Sequence, residues 1–202
     1  MKTLLRGVMA GVVAGAVVST GAAAQYSWST PTGAPACSEW TVALGATWDD
    51  CRGSFNGNEE GVGATPGRAA TEAYLLGQWG TGLGYTGSDS DGFGSFSGGG
   101  TGTITFANPI YGDFVIALKS GRSAGAPAGG YFSFYLYEDA DGLTSLDYNT
   151  IGTSQNSSGA GKGLSHFTVW GGEVRVPEPG LLLLLGTGLL GMAVIRRRED
   201  VA

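Results

Sequence analysis

An all-β domain, a single sandwich of jelly-roll type flanked by an N-terminal signal peptide and a C-terminal hydrophobic helix, is the fold class that this 202-residue sequence predicts. Three observations lead there. The chain holds 38 glycines and only 14% charged residues, and glycine at that frequency punctuates turns while weakening helices. Between the glycines, aromatic and β-branched residues dominate, which suits a pleated, half-buried surface. Several of these stretches alternate apolar and polar positions with the period of two that a strand needs, and the crossover helices of a parallel sheet are missing.

Taken in order, Lys2 and Arg6, an apolar stretch over residues 7–18 and the small residues Ala22, Ala23 and Ala24 read as a signal peptide, residues 1–24, cut between Ala24 and Gln25. Residues 25–175 then suffice for one domain with its own core. Its two cysteines, Cys37 and Cys51, predict a disulfide closing a short loop in an oxidising compartment. Residues 41–48 read as a strand, and residues 71–79 as a strand or a short helix. Ile104 and Phe106 alternate with Thr103 and Thr105, and Phe114, Ile116 and Leu118 with their neighbours. Asn108-Pro109 and Tyr111-Gly112 between them supply turn chemistry, so the pair reads as a hairpin. In residues 131–137, Phe132, Phe134 and Leu136 form a core face, with Tyr131, Ser133, Tyr135 and Tyr137 on a partly exposed one. Residues 145–150 and 165–170 complete the strands, and Gly/Ser/Asn-rich loops occupy 80–102 and 152–163.

The domain carries 14 acidic and six basic residues. That balance excludes nucleic acid and an anionic membrane face as partners, since both require a basic patch. One histidine, His166, and two cysteines cannot assemble a zinc site, and no cofactor is expected. By strand alternation His166 shares a face with Thr168 and Trp170 and reads as a structural, hydrogen-bonded residue. Gly82-Leu83-Gly84-Tyr85-Thr86-Gly87 satisfies GxGxxG but lies in loop, without the strand and helix of a dinucleotide site.

Gly121-Arg122-Ser123-Ala124-Gly125 fits G-x-S-x-G and precedes Asp139, Asp141, Asp147 and His166 in hydrolase order. A nucleophile elbow leads into a helix, whereas this segment leads into another strand, so no enzyme is expected. A secreted hydrolase using Ser123 is the remotest alternative. Asp89-Ser90-Asp91-Gly92 and Asp139-Ala140-Asp141-Gly142 offer hard oxygen ligands but complete no calcium loop, and read as solvated turns. Trp40, Trp48, Trp79, Trp170, Tyr135 and Tyr137 are the side chains that would stack on sugar rings if the domain bound a polysaccharide.

Val176-Pro177-Glu178-Pro179 stands directly before the apolar residues 180–195, which end in Arg196-Arg197-Arg198. Two prolines keep the motif extended and readable by a cleft. The sixteen residues of this run span about 24 Å as a helix against a hydrocarbon layer of about 30 Å, a marginal fit. The arginines favour the cytoplasmic side and stop transfer. Motif, span and basic stop in this order resemble the PEP-CTERM sorting tail of Gram-negative surface proteins. The resemblance implies that residues 176–202 are a removable tag, with Val176, Pro177, Glu178 and Pro179 recognised by an exosortase-type enzyme and the arginines as a retention cluster. It implies export machinery and the membrane as further partners, and delivery to the cell surface or an extracellular matrix. Residues 163–171 also resemble the Ser-His-aromatic strand that precedes such tails, and Cys51-Arg52-Gly53 with Asn56-Gly57-Asn58 a Cys-Gly-Gly-Asn stretch of one cargo group. A structural or adhesive component of an exopolysaccharide matrix is the expectation that follows, with a carbohydrate-binding module as the alternative.

Overall fold

Strand-forming and helix-forming stretches separate cleanly in the computed structural model, which describes residues 26, 28–39, 48–61, 65–80, 83–121 and 130–175. Ala24 and Gln25 of the signal-peptide junction, Trp40 and most of the strand expected at 41–48, Ser123 and the whole tail from Val176 lie outside these residues. The elements are β1 (Asp50–Asn56), α1 (Arg68–Trp79), β2 (Tyr85–Ser88), a 3₁₀ turn (Asp89–Asp91), β3 (Gly94–Gly98), β4 (Thr101–Ser120), β5 (Tyr131–Asn149) and β6 (Leu164–Val174). All six strands join one antiparallel sheet of order β1-β5-β4-β6-β2, with β3 added alongside β4.

The hairpin expected around Asn108-Pro109 does not form. Residues 101–120 are one strand, and those turn-forming residues interrupt its register instead of reversing it, with shifts between Thr105 and Ile110 and again between Gly112 and Phe114. Proline lacks an amide donor, and an irregular stretch of ladder tolerates that loss. The bend is sharp. Phe106 and Phe114 meet edge-on with ring centroids 6.3 Å apart, although eight residues of straight strand would separate them by about 26 Å.

This fold-back gathers Ile104, Phe106, Leu146 and Tyr148 into one buried cluster with Phe114, Ile116, Leu118, Tyr135, Phe167 and Val169. The expected second sheet of a jelly-roll sandwich is therefore not a separate sheet among the described residues. One bent sheet supplies both layers.

On the opposite face Val115, Ala117, Phe132, Phe134, Leu136 and Trp170 pack with Phe55 and with Leu75 of α1, and Tyr26, Trp28, Tyr74 and Trp79 flank them. Residues 68–79 are a helix, the second of the two readings their sequence allows. Alanine and leucine favour it, and Gly80 ends it at φ 97°, with its amide returning to the Leu76 carbonyl. Full burial of Leu75 stabilises this docking by about 2 kcal/mol. Because both faces are covered, the tyrosine face of β5 is core as well: Tyr135 is 0% and Tyr137 6% exposed. Cys37 and Cys51 form the expected disulfide, Cα atoms 6.0 Å apart, which ties the N-terminal segment to β1.

Candidate functional site

The sorting motif Val176, Pro177, Glu178 and Pro179 and the retention cluster Arg196, Arg197 and Arg198 lie outside the described residues, but the place where the tail leaves the domain is well defined. β6 is interior to the sheet, between β4 and β2. Its last residues pair Tyr111 with Glu173 and Ile110 with Val174. Just before them Gly171 and Gly172 both adopt the left-handed conformation, at φ 74° and 72°, which glycine alone enters without cost. Beyond the strand, the Arg175 guanidinium sits 4.5 Å from the centre of the Tyr111 ring and 3.5 Å from Glu173 Oε2. With the two ionic side chains 68% and 76% exposed, solvent screens that pair and it contributes little. A groove of about 540 Å³ lies beside this exit, lined by Leu83, Tyr111, Gly112, Asp113, Gly172 and Glu173.

A second polar cluster surrounds His166. Its Nδ1 contacts Asp89 Oδ1, and its Nε2 faces Glu60 Oε1 at 2.6 Å without hydrogen-bond alignment. Asp89 also accepts the Phe167 amide at 3.0 Å. The Tyr85 hydroxyl shares its one proton between Asp91 at 2.5 Å and Glu60 at 2.9 Å, and Arg68 of α1 lies 3.4 Å over the Tyr85 ring. Burial and then the Asp91 carboxylate push the Tyr85 phenol up, while the phenol's hydrogen bond is the main influence holding the Asp91 carboxyl below its ordinary value. Arg68, Glu60, Tyr85, Asp89 and His166 thus cross-link α1, the loop after β1, β2, the 3₁₀ turn and β6.

Asp89 and Asp91, expected as solvated turn residues, are engaged here. Asp139 and Asp141 sit elsewhere, at the bend of β5, where the Asp139 amide donates to Asp113. Among the described residues no three His, Cys, Asp or Glu side chains are placed to hold a metal ion. Glu60, Tyr85 and Arg68 escaped the sequence reading because no local spacing links them to His166. The signal was the topology, which no linear pattern states.

Of the aromatic residues singled out for sugar stacking, Trp170, Tyr135 and Tyr137 are core, and Trp48 packs against the same cluster as Tyr135. Trp48 is itself half-buried, and Trp79, also half-buried, lies on α1 with Arg52 5.2 Å over its ring. A polar cleft of about 370 Å³ opens elsewhere, lined by Glu39, Tyr131, Ser154, Gln155 and Asn156, with Gln155 donating to Glu39. Among the described residues no helix is long and apolar enough to cross a membrane.

No curated protein and no solved structure matches the chain. Residues 175–198 match the family model of the PEP-CTERM protein-sorting motif. The match begins at Arg175, the residue stacked on Tyr111, so domain and motif adjoin without a spacer. The chain carries a PEP-CTERM sorting motif, which marks an exported, surface-directed protein with an exosortase-type enzyme as its processing partner.

Proposed function

We propose that the protein is a structural or adhesive component of an exopolysaccharide matrix, held at the membrane by residues 180–195 and released to the cell surface when an exosortase-type enzyme processes its tail. The observation that carries this reading is the direct junction between Val174, the end of an interior strand in a disulfide-tied β domain, and a matched sorting motif beginning at Arg175. Pro177, Glu178 and Pro179 are the recognition elements in this reading and the arginines are the stop. Mass spectrometry of the C-terminal peptide tests it. Surface-located protein should lack the arginine cluster, and Glu178→Ala should retain the tail and lose surface delivery. An intact tail on surface-located protein would sink the processing step.

The proposed role is non-catalytic. After Gly121 the chain returns to β5, whose Tyr131 pairs with Ser120, and His166 is occupied by two carboxylates. Asp147, one of the acids in hydrolase order, accepts from Thr103 at 2.7 Å on the far half of the sheet. Loss of an esterase or glycosidase activity on Ser123→Ala would overturn this view.

The carbohydrate-binding alternative draws support from the Glu39, Tyr131, Gln155 and Asn156 cleft, whose carboxylate, amides and aromatic ring suit a sugar. Saturable glycan binding lost on Tyr131→Ala would favour it over the structural role.

A further inference from the structure

We propose that the end of β6 is a releasable latch: Glu173, Val174 and Arg175 peel away from β4 about the Gly171-Gly172 pair when the processing enzyme takes the sorting motif. This inference rests on the exosortase reading above and concerns how the folded domain yields its tail.

The need comes from chain length. From Val174, the last strand residue, to Pro177 is three residues, about 10 Å fully extended. A cleft that reads a linear motif requires free, extended backbone on both sides of it, and here the preceding residues are already committed to pairing with Ile110 and Tyr111. With no spacer between them, either the cleft wall meets the sheet or the strand end lets go.

The division between what can leave and what must stay is sharp. Phe167, Thr168, Val169 and Trp170 are all 0% exposed, so detaching them would open the core. Past the glycines, the side chains of Glu173 and Arg175 are 76% and 68% exposed. The contacts of Glu173 and Arg175, a screened ion pair and a guanidinium over the Tyr111 ring, break and reform at little cost, and half-buried Val174, paired with the fully buried Ile110, is the one apolar contact that release gives up. Gly171 and Gly172 sit at the division. Their left-handed backbone coincides with the register shift opposite Tyr111 and Phe114, so the ladder is already interrupted where the proposed hinge lies. The groove along Leu83, Gly112 and Asp113 leaves that edge open to an incoming partner.

The test is a cross-link at paired positions in the full chain, Tyr111→Cys with Glu173→Cys, presented to membranes that contain the processing enzyme. In the oxidised form trimming should slow at least about tenfold, since release of this segment becomes obligatory but impossible. Tyr111→Ser with Glu173→Ser should trim at the parental rate. A six-residue Gly-Ser spacer after Arg175 should restore trimming to the cross-linked chain. Independently, amides of residues 173–175 should exchange at least about a hundredfold faster than those of residues 167–170 in the parent protein. Parental trimming by the cross-linked chain, a spacer that fails to rescue it, or equal amide protection on both sides of the glycines overturns the latch and leaves the sorting reading standing. A parent that is not trimmed at all overturns both.

Discussion

The indole Nε1 of Trp79 donates a 2.9 Å hydrogen bond to Asp50 Oδ2, fastening the last turn of α1 to the first residue of β1. Arg52 completes the junction, donating to Asp50 Oδ1 at 2.7 Å and to Gln78 at 3.0 Å. Burial pushes the Asp50 carboxyl up, but the bonds from Trp79, Arg52 and the Cys51 amide outweigh it and hold the group below its ordinary 3.8. A depressed carboxyl contributes stability above its unfolded value, and that contribution is lost as pH falls through the lower folded value. Asp50→Asn should therefore cost about 1 kcal/mol at neutral pH, a figure kept small because the site is partly exposed. Urea denaturation should show the difference narrowing in strong acid.

The Cys37–Cys51 bridge constrains the unfolded chain more than it adds contacts. Its sequence separation of 14 corresponds to about 3 kcal/mol in the chain-entropy account. Replacing both cysteines by serine should lower stability by about that amount and steepen the dependence on urea, because the unlinked unfolded chain exposes more surface. Reduction of the parent protein should reproduce the loss.

What the sequence disclosed and what it hid divide along physical lines. Period-two alternation located the chains of β4, β5 and β6, because side-chain direction in a strand is local. It did not say what covers each face, so Tyr135 and Tyr137 read as half-exposed when the folded-back end of the same sheet buries them. Asn108-Pro109 read as a reversal because the residues that suit turns also suit irregular strands, and only the partner strands decide between them. The sorting motif was legible because a linear signal must be read unfolded. The His166 cluster was not, since residues 60, 85, 89 and 166 converge only through the sheet order.

Trp170 and Trp79 separate core from surface aromatics. The Trp170 side chain is fully buried, donates to Thr168 Oγ1 at 2.8 Å and meets Tyr85 edge-on at 5.1 Å. Truncation to alanine should cost about 3–5 kcal/mol, a large share of the stability of a domain this size. Trp79→Ala loses its hydrogen bond and partial packing and should cost about 1–2 kcal/mol. Thermal unfolding monitored by circular dichroism distinguishes them. A glycan-binding test can therefore use Trp79→Ala, whereas loss of binding in Trp170→Ala would report unfolding.

Glu59 is the least comfortable group among the described residues. It is 0% exposed, its carboxyl oxygens find no hydrogen-bond partner in another residue, and its backbone carbonyl accepts from Thr71 Oγ1 at 2.9 Å. Burial raises its pKa above the ordinary 4.5, with Lys119 and His166 pulling the other way and Glu60 adding to the rise. For a carboxyl raised on folding, stability is fully present below the unfolded value and is lost as pH climbs through the folded one. Glu59→Gln removes the ionisation and keeps the shape, so it should raise Tm near neutral pH and leave Tm unchanged in mild acid below 4.5. Lys119→Met tests the same balance from the other side. In the parent it removes the attraction that offsets burial of the charge and should lower Tm near neutral pH, whereas in the Glu59→Gln background that part of the loss should vanish. Equal losses in the two backgrounds would show that Lys119 does not act through Glu59.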